Sequence, residues 1–150
     1  MKGLKQYTIQ ACKDHLSGKI TTLNTIMHEL SEAGNADTKS SAGDKHETTR
    51  AMMQLEQEKT GNQLKEAEEQ LKEFERIDFT KTPQTITQSS LVETNKGLFF
   101  IAASIGKIIV DNQTVFVISS KSPLAMALSG RKEKDVIVFN GVDYSIGNVS

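Results

Sequence analysis

Asp44 and Glu47 are the residues whose type and spacing most directly suggest chemistry. They stand as D-x-x-E inside the polar stretch 38–50, TKSSAGDKHETTR. Two carboxylates three residues apart are a pair of oxygen donors. Mg²⁺ keeps several waters and usually takes one or two protein carboxylates plus phosphate oxygens. Two carboxylates alone do not make a full metal site. They can complete one inside a partner that already holds phosphates and a metal, as in two-metal phosphoryl chemistry. The competing reading is a helix start, with Asp as N-cap and Glu three residues later closing a capping-box-like pair. A carboxylate committed to capping is less free for a metal.

His46 stands between them. D-x-H-E would allow a standalone metal site, but a lone histidine in a polar stretch carries little information and reads as a solvent-facing residue. Lys45 and Arg50 read as surface charges or as contacts to a phosphate backbone. His15 and His28 show no partner by spacing and receive no role. Cys12 is the only cysteine, which excludes an intrachain disulfide, and it reads as a small core residue rather than a nucleophile.

What must position the carboxylates is a pair of helices. Ile9, Cys12, Leu16, Ile20, Leu23, Met27 and Leu30 are separated by three or four residues, the spacing of a coiled-coil seam. That predicts a first helix over about 3–33, ended by Gly34 and Asn35. Met53, Leu64, Ala67, Leu71 and Phe74 continue a seam in a second helix over about 47–77, with Gln57 and Thr60 at intermediate positions. The expectation is an antiparallel hairpin over 1–78, its tip loop at about 34–47, weakly packed near the tip and well packed near the base. About 30 helical residues at ~1.5 Å each give a reach of about 45 Å. The run Glu66, Glu68, Glu69, Glu73, Glu75 with Lys65 and Lys72 reads as a solvated face with i,i+4 pairs.

The pattern changes after Asp78. Residues 79–85 read as a linker in which Pro83 blocks further helix. Residues 86–150 are rich in β-branched types, with expected strands at 90–93, 97–102, 106–110, 114–119, 135–139 and 143–149. Asn140-Gly141 between apolar runs signals a hairpin. A short helix is expected at 123–128, with Ser122 as N-cap and Pro123 at its first position. The expected class is α+β: a coiled-coil hairpin, then a small antiparallel sheet packed on one short helix. Ser122, Pro123 and Leu124 read as structural, and they are also the candidate partner contacts.

Composition fits this plan. Of 150 residues, 37% are hydrophobic and 5% aromatic, with no Trp, which is thin for one compact core but normal when half the chain is a solvated hairpin. Residues 1–78 carry 11 Lys/Arg against 14 Asp/Glu, and residues 79–150 carry 7 against 5. With a net charge of -1, the balance favours protein partners over direct duplex binding. No apolar run approaches the ~20 residues of a membrane span, and no signal peptide is evident, so a cytoplasmic location is expected. No G-x-S-x-G, phosphate-binding loop, dinucleotide glycine pattern or zinc spacing is present, which leaves self-contained catalysis without support.

Three features resemble the bacterial Gre transcript-cleavage factors. One is the order of hairpin, linker and β-rich domain in a chain of similar length. The second is Gly43-Asp44-Lys45-His46-Glu47, which resembles the family's G-D-x-x-E. The third is the run from Ile118 through Asp135, ISSKSPLAMALSGRKEKD, similar to the family's I-S-x-x-S-P-[LI]-G-x-A-L-[LM]-G-K-x-x-G-D. The resemblance implies an FKBP-like C-terminal fold without prolyl isomerase activity. It implies a monomer that enters the secondary channel of RNA polymerase and meets the RNA 3′ end there. Asp44 and Glu47 would help the polymerase hold a Mg²⁺ that the isolated protein does not bind, and so promote cleavage of backtracked RNA. There are departures. The family commonly follows its tip Glu with Asn, a small residue, Glu and an aromatic, where this chain has Thr48-Thr49-Arg50-Ala51. Ala125 and Lys134 replace glycines. They suggest a divergent branch, and some Gre-like proteins regulate polymerase without cleavage. A coiled-coil adaptor unrelated to transcription is the remaining alternative.

Overall fold

The computed structural model describes residues 3–38 and 43–150. Two long helices come first, α1 (Leu4–Thr38) and α2 (Gly43–Glu75). Six strands and one short helix follow: β1 (Leu91–Thr94), β2 (Gly97–Ala102), β3 (Gly106–Val110), β4 (Gln113–Ser119), α3 (Pro123–Leu128), β5 (Val136–Phe139) and β6 (Val142–Val149). The fold is α+β, as the residue patterns imply.

The helix ends differ from those expected. Helix α1 runs past Gly34 and Asn35 to Thr38, and α2 already begins at Gly43. A glycine in a helix interior costs about 1 kcal/mol relative to alanine, and it ends a helix only where it takes a left-handed conformation. Gly34 stays helical. At the other end α2 stops at Glu75, two residues short of the expected Ile77.

The chain divides into two compact units, Met1–Asp14 with Lys72–Ser150, and His15–Leu71. In the second unit, shielded positions recur at Leu16, Ile20, Leu23, Met27 and Leu30 on α1. On α2 they recur at Met53, Gln57, Thr60, Leu64, Ala67 and Leu71. The alternation of three and four is the seam of a two-stranded coiled coil, and each helix shields the other's stripe. Along the outer face, the i,i+4 pairs expected among Glu66 to Glu75 do not form. Among the described residues the one ion-pair approach within 4.0 Å is His28 Nε2 to Glu32, both exposed. Exposed pairs gain little over hydration, so these side chains stay in water.

In the first unit the sheet order is β3-β4-β2-β1-β6-β5. Neighbours are antiparallel except β2 and β4, which run parallel from Leu98↔Val115 to Ala102↔Ser119. This departs from the all-antiparallel expectation. The chain leaves β2, skips one place to lay down β3 at the edge, and returns by a hairpin into the vacant slot. Two reversals restore the original direction. The central position of β2 also explains its nearly continuous burial, whereas edge strand β5 alternates. Two-residue turns at Asp111-Asn112 and Asn140-Gly141 have positive φ at both positions (50° and 60°; 50° and 75°), the mirror-image turns that match strand twist.

Both faces of the sheet are covered at the central strand β2. On one, Ile86, Val92, Ile101, Ile137 and Ile146 pack with Ala125 and Leu128 of α3. On the other, Phe79 lies between Phe74 and Phe100, with ring centroids 5.1 and 5.7 Å away. The segment 79–85 is tied down in the same unit. The Asp78 carboxylate accepts from Thr80 N–H at 2.9 Å, and the Lys81 carbonyl accepts from Lys5 Nζ at 3.4 Å.

Candidate functional site

The D-x-x-E pair falls in the first turns of α2, which begins at Gly43. Asp44 and Glu47 are therefore three residues apart on a helical backbone, a spacing that places both on one helix face. The Asp44, Lys45 and His46 side chains lie outside the described residues. The Glu47 carboxylate and the Arg50 guanidinium are exposed. Among the described residues no three His, Cys, Asp or Glu side chains gather into a metal-binding group. A hard divalent cation needs about six oxygen ligands, more than the Glu47 carboxylate supplies by itself.

The second candidate set is the start of α3. Ser122 is its N-cap, with extended φ and ψ of -67° and 150°, and its Oγ accepts from Ala125 N–H at 3.3 Å. The Ser122 carbonyl accepts from Met126 N–H at 2.9 Å. Pro123 occupies the first turn, where its missing N–H costs nothing. Leu124 packs against the core cluster of α3 and the sheet. All three residues thus have local structural work. Pro123 remains exposed, and Met126 one turn on is 64% exposed, so α3 also offers a surface.

A depression of about 30 Å³ lies beside α3, lined by Ile86, Thr87, Gln88, Ile101, Ala125 and Ser129 among others. It has room for a water but not a substrate. The sequence carries no signal for it, because its lining is drawn from segments far apart in the chain.

Cys12, Lys5 and Asp78 are shifted by burial or by a turn. Burial pushes the Cys12 thiol up to about 12, which removes it as a nucleophile. Burial lowers the Lys5 ammonium from its ordinary value. Asp78 is lowered chiefly by the side-chain hydrogen bond from Thr80, then by Thr80's backbone N–H. No helix among the described residues is long and apolar enough to cross a membrane.

No protein-family model matches the sequence, and no curated protein matches it. A solved structure of the transcription factor Gfh1 is similar at 14% identity, over 99% of this chain and 94% of that one, with a TM-score of 0.34. A likeness at that level carries no weight for function.

Proposed function

We propose that this chain is a Gre-like factor that binds RNA polymerase through its secondary channel. It brings Asp44 and Glu47 to the polymerase active centre to promote Mg²⁺-dependent cleavage of backtracked RNA. The observation that carries this reading is the coincidence of two separate motif resemblances on one suitable fold. G-D-x-x-E falls at the start of the second long helix, and the Ser122-Pro123-Leu124 run opens the short helix of the β-rich unit.

The roles divide by chemistry. Asp44 and Glu47, of which the Glu47 carboxylate is exposed, would supply oxygen donors that a polymerase-held metal lacks, and the metal, when bound, supplies an activated water. The protein is then a cofactor of the polymerase rather than a self-contained enzyme, and its own residues orient and complete the site. The α3 face, with exposed Pro123, is the proposed contact to the polymerase.

The test is a cleavage assay on backtracked elongation complexes. The expected result is Mg²⁺-dependent shortening of the RNA 3′ end, lost in Asp44→Ala and in Glu47→Ala while polymerase binding persists. Equal cleavage by the wild type and both variants would sink the catalytic assignment. Thr48-Thr49-Arg50, in place of the family's usual flank, favours a second reading: a non-cleaving regulator in the same channel. Binding without cleavage by the wild type selects that reading. Absence of binding leaves a coiled-coil adaptor.

A further inference from the structure

The two long helices are unevenly held within the unit His15–Leu71. Toward one end, Leu16 and Ala67 are 1% and 0% exposed, and Leu23 and Thr60 close that stretch at 7% and 4%. Beyond Leu23 the burial stops. Between 24 and 33 on α1, and between 47 and 59 on α2, no described side chain is buried. Only Met27, Leu30, Met53 and Gln57 are half-shielded there, and one of these four is an amide. Met52 and Leu55 turn outward, 63% and 66% exposed, and add nothing to the seam.

Isolated helices of 10–13 residues are marginal in water, and helices in proteins persist mainly through packing of a buried face. Segments 24–33 and 47–59 have the length without the buried face. Amides in such segments exchange through local opening, whereas amides beside a filled seam exchange only through larger unfolding.

We infer that this unit is two cooperative segments with a boundary at Leu23 and Thr60. One is a base that opens only with the wider fold; the other is an arm, 24–33 with 47–59, that opens by itself while the base stays folded. The arm carries Glu47. If the proposed function holds, Glu47 is therefore delivered on a segment whose order is completed on docking. That last clause rests on the proposed function, but the arm does not.

Hydrogen exchange on the full-length free protein tests this, read amide by amide in the regime where opening equilibria are measured. Protection in 26–33 and 50–59 is expected to fall at least about 100-fold below that in 16–23 and 63–71. Arm protection should also depend only weakly on added urea, the sign of a small exposed surface. Replacing the polar seam residues in Gln57→Leu and Thr60→Val should raise arm protection several-fold and leave base protection ahead. Equal protection in the two sets, with one common urea dependence, overturns the inference. Because no polymerase is present, that outcome leaves the proposed function standing or falling on the cleavage assay.

Discussion

Cys12 shows how a single side chain reports its packing. It is fully buried, and burial raises its thiol from 9.0 to about 12. Native protein at pH 8 should resist a thiol-specific reagent, and unfolding in urea should expose one reactive group per chain. The linkage has a definite sign. The folded pKa lies above the unfolded one, so the thiol's contribution is intact below pH 9 and is lost as pH rises toward 12. Lys5 acts oppositely, since its lowered pKa adds stability as pH approaches 10.5. Urea midpoints between pH 8 and pH 10.5 should therefore fall more steeply in the wild type than in Cys12→Ala. Lys134 is a second case. It holds φ of 77°, its N–H donating to the Ile146 carbonyl at 2.8 Å, where the resembled motif has glycine. Lys134→Gly should relieve the left-handed strain and raise stability by about 0.5–1 kcal/mol, seen as a higher urea midpoint at unchanged slope.

At the scale of elements, α3 shows local chemistry deciding structure. A serine cap, a proline at the first turn and a short apolar run are enough to place Pro123–Leu128. Ser122→Ala should cost about 1 kcal/mol in thermal or urea unfolding, and Ser122→Asp should retain most of the cap. This pair separates the structural role of Ser122 from any contact with a partner: a polymerase-binding loss shared by both variants would assign the residue to the interface. Strands were legible for a related reason. β2 and β3 begin and end where their glycines and apolar runs place them, because turn residues act locally. Helix ends were less legible. Gly34 and Asn35 look like a stop, yet α1 continues to Thr38, since the cost of one glycine is small beside the hydrogen bonds on either side.

For the whole molecule, the proposed function makes separable demands on two regions. The start of α2 should govern cleavage without governing affinity, and the α3 face should do the reverse. Pro123→Ala keeps a helix-compatible residue at the first turn, so weaker polymerase binding by a folded variant, measured in a pull-down, is the expected outcome. Asp44 and Glu47 were visible in the sequence because their spacing is itself the signal, whereas Asp44 as N-cap gives way to a helix that already includes Gly43. The sequence alone determined whatever depends on neighbours within a few residues: two seams of three-and-four spacing, six strands with their turns, and a capped short helix. It could not determine that β4 enters beside β2 in parallel, because that depends on where β3 leaves a slot. Nor could it assign Phe79 to a ring stack with Phe74 and Phe100, or show that burial ends at Leu23 and Thr60. Those outcomes depend on surfaces brought together from distant parts of the chain, and only the tertiary structure decides which surfaces meet.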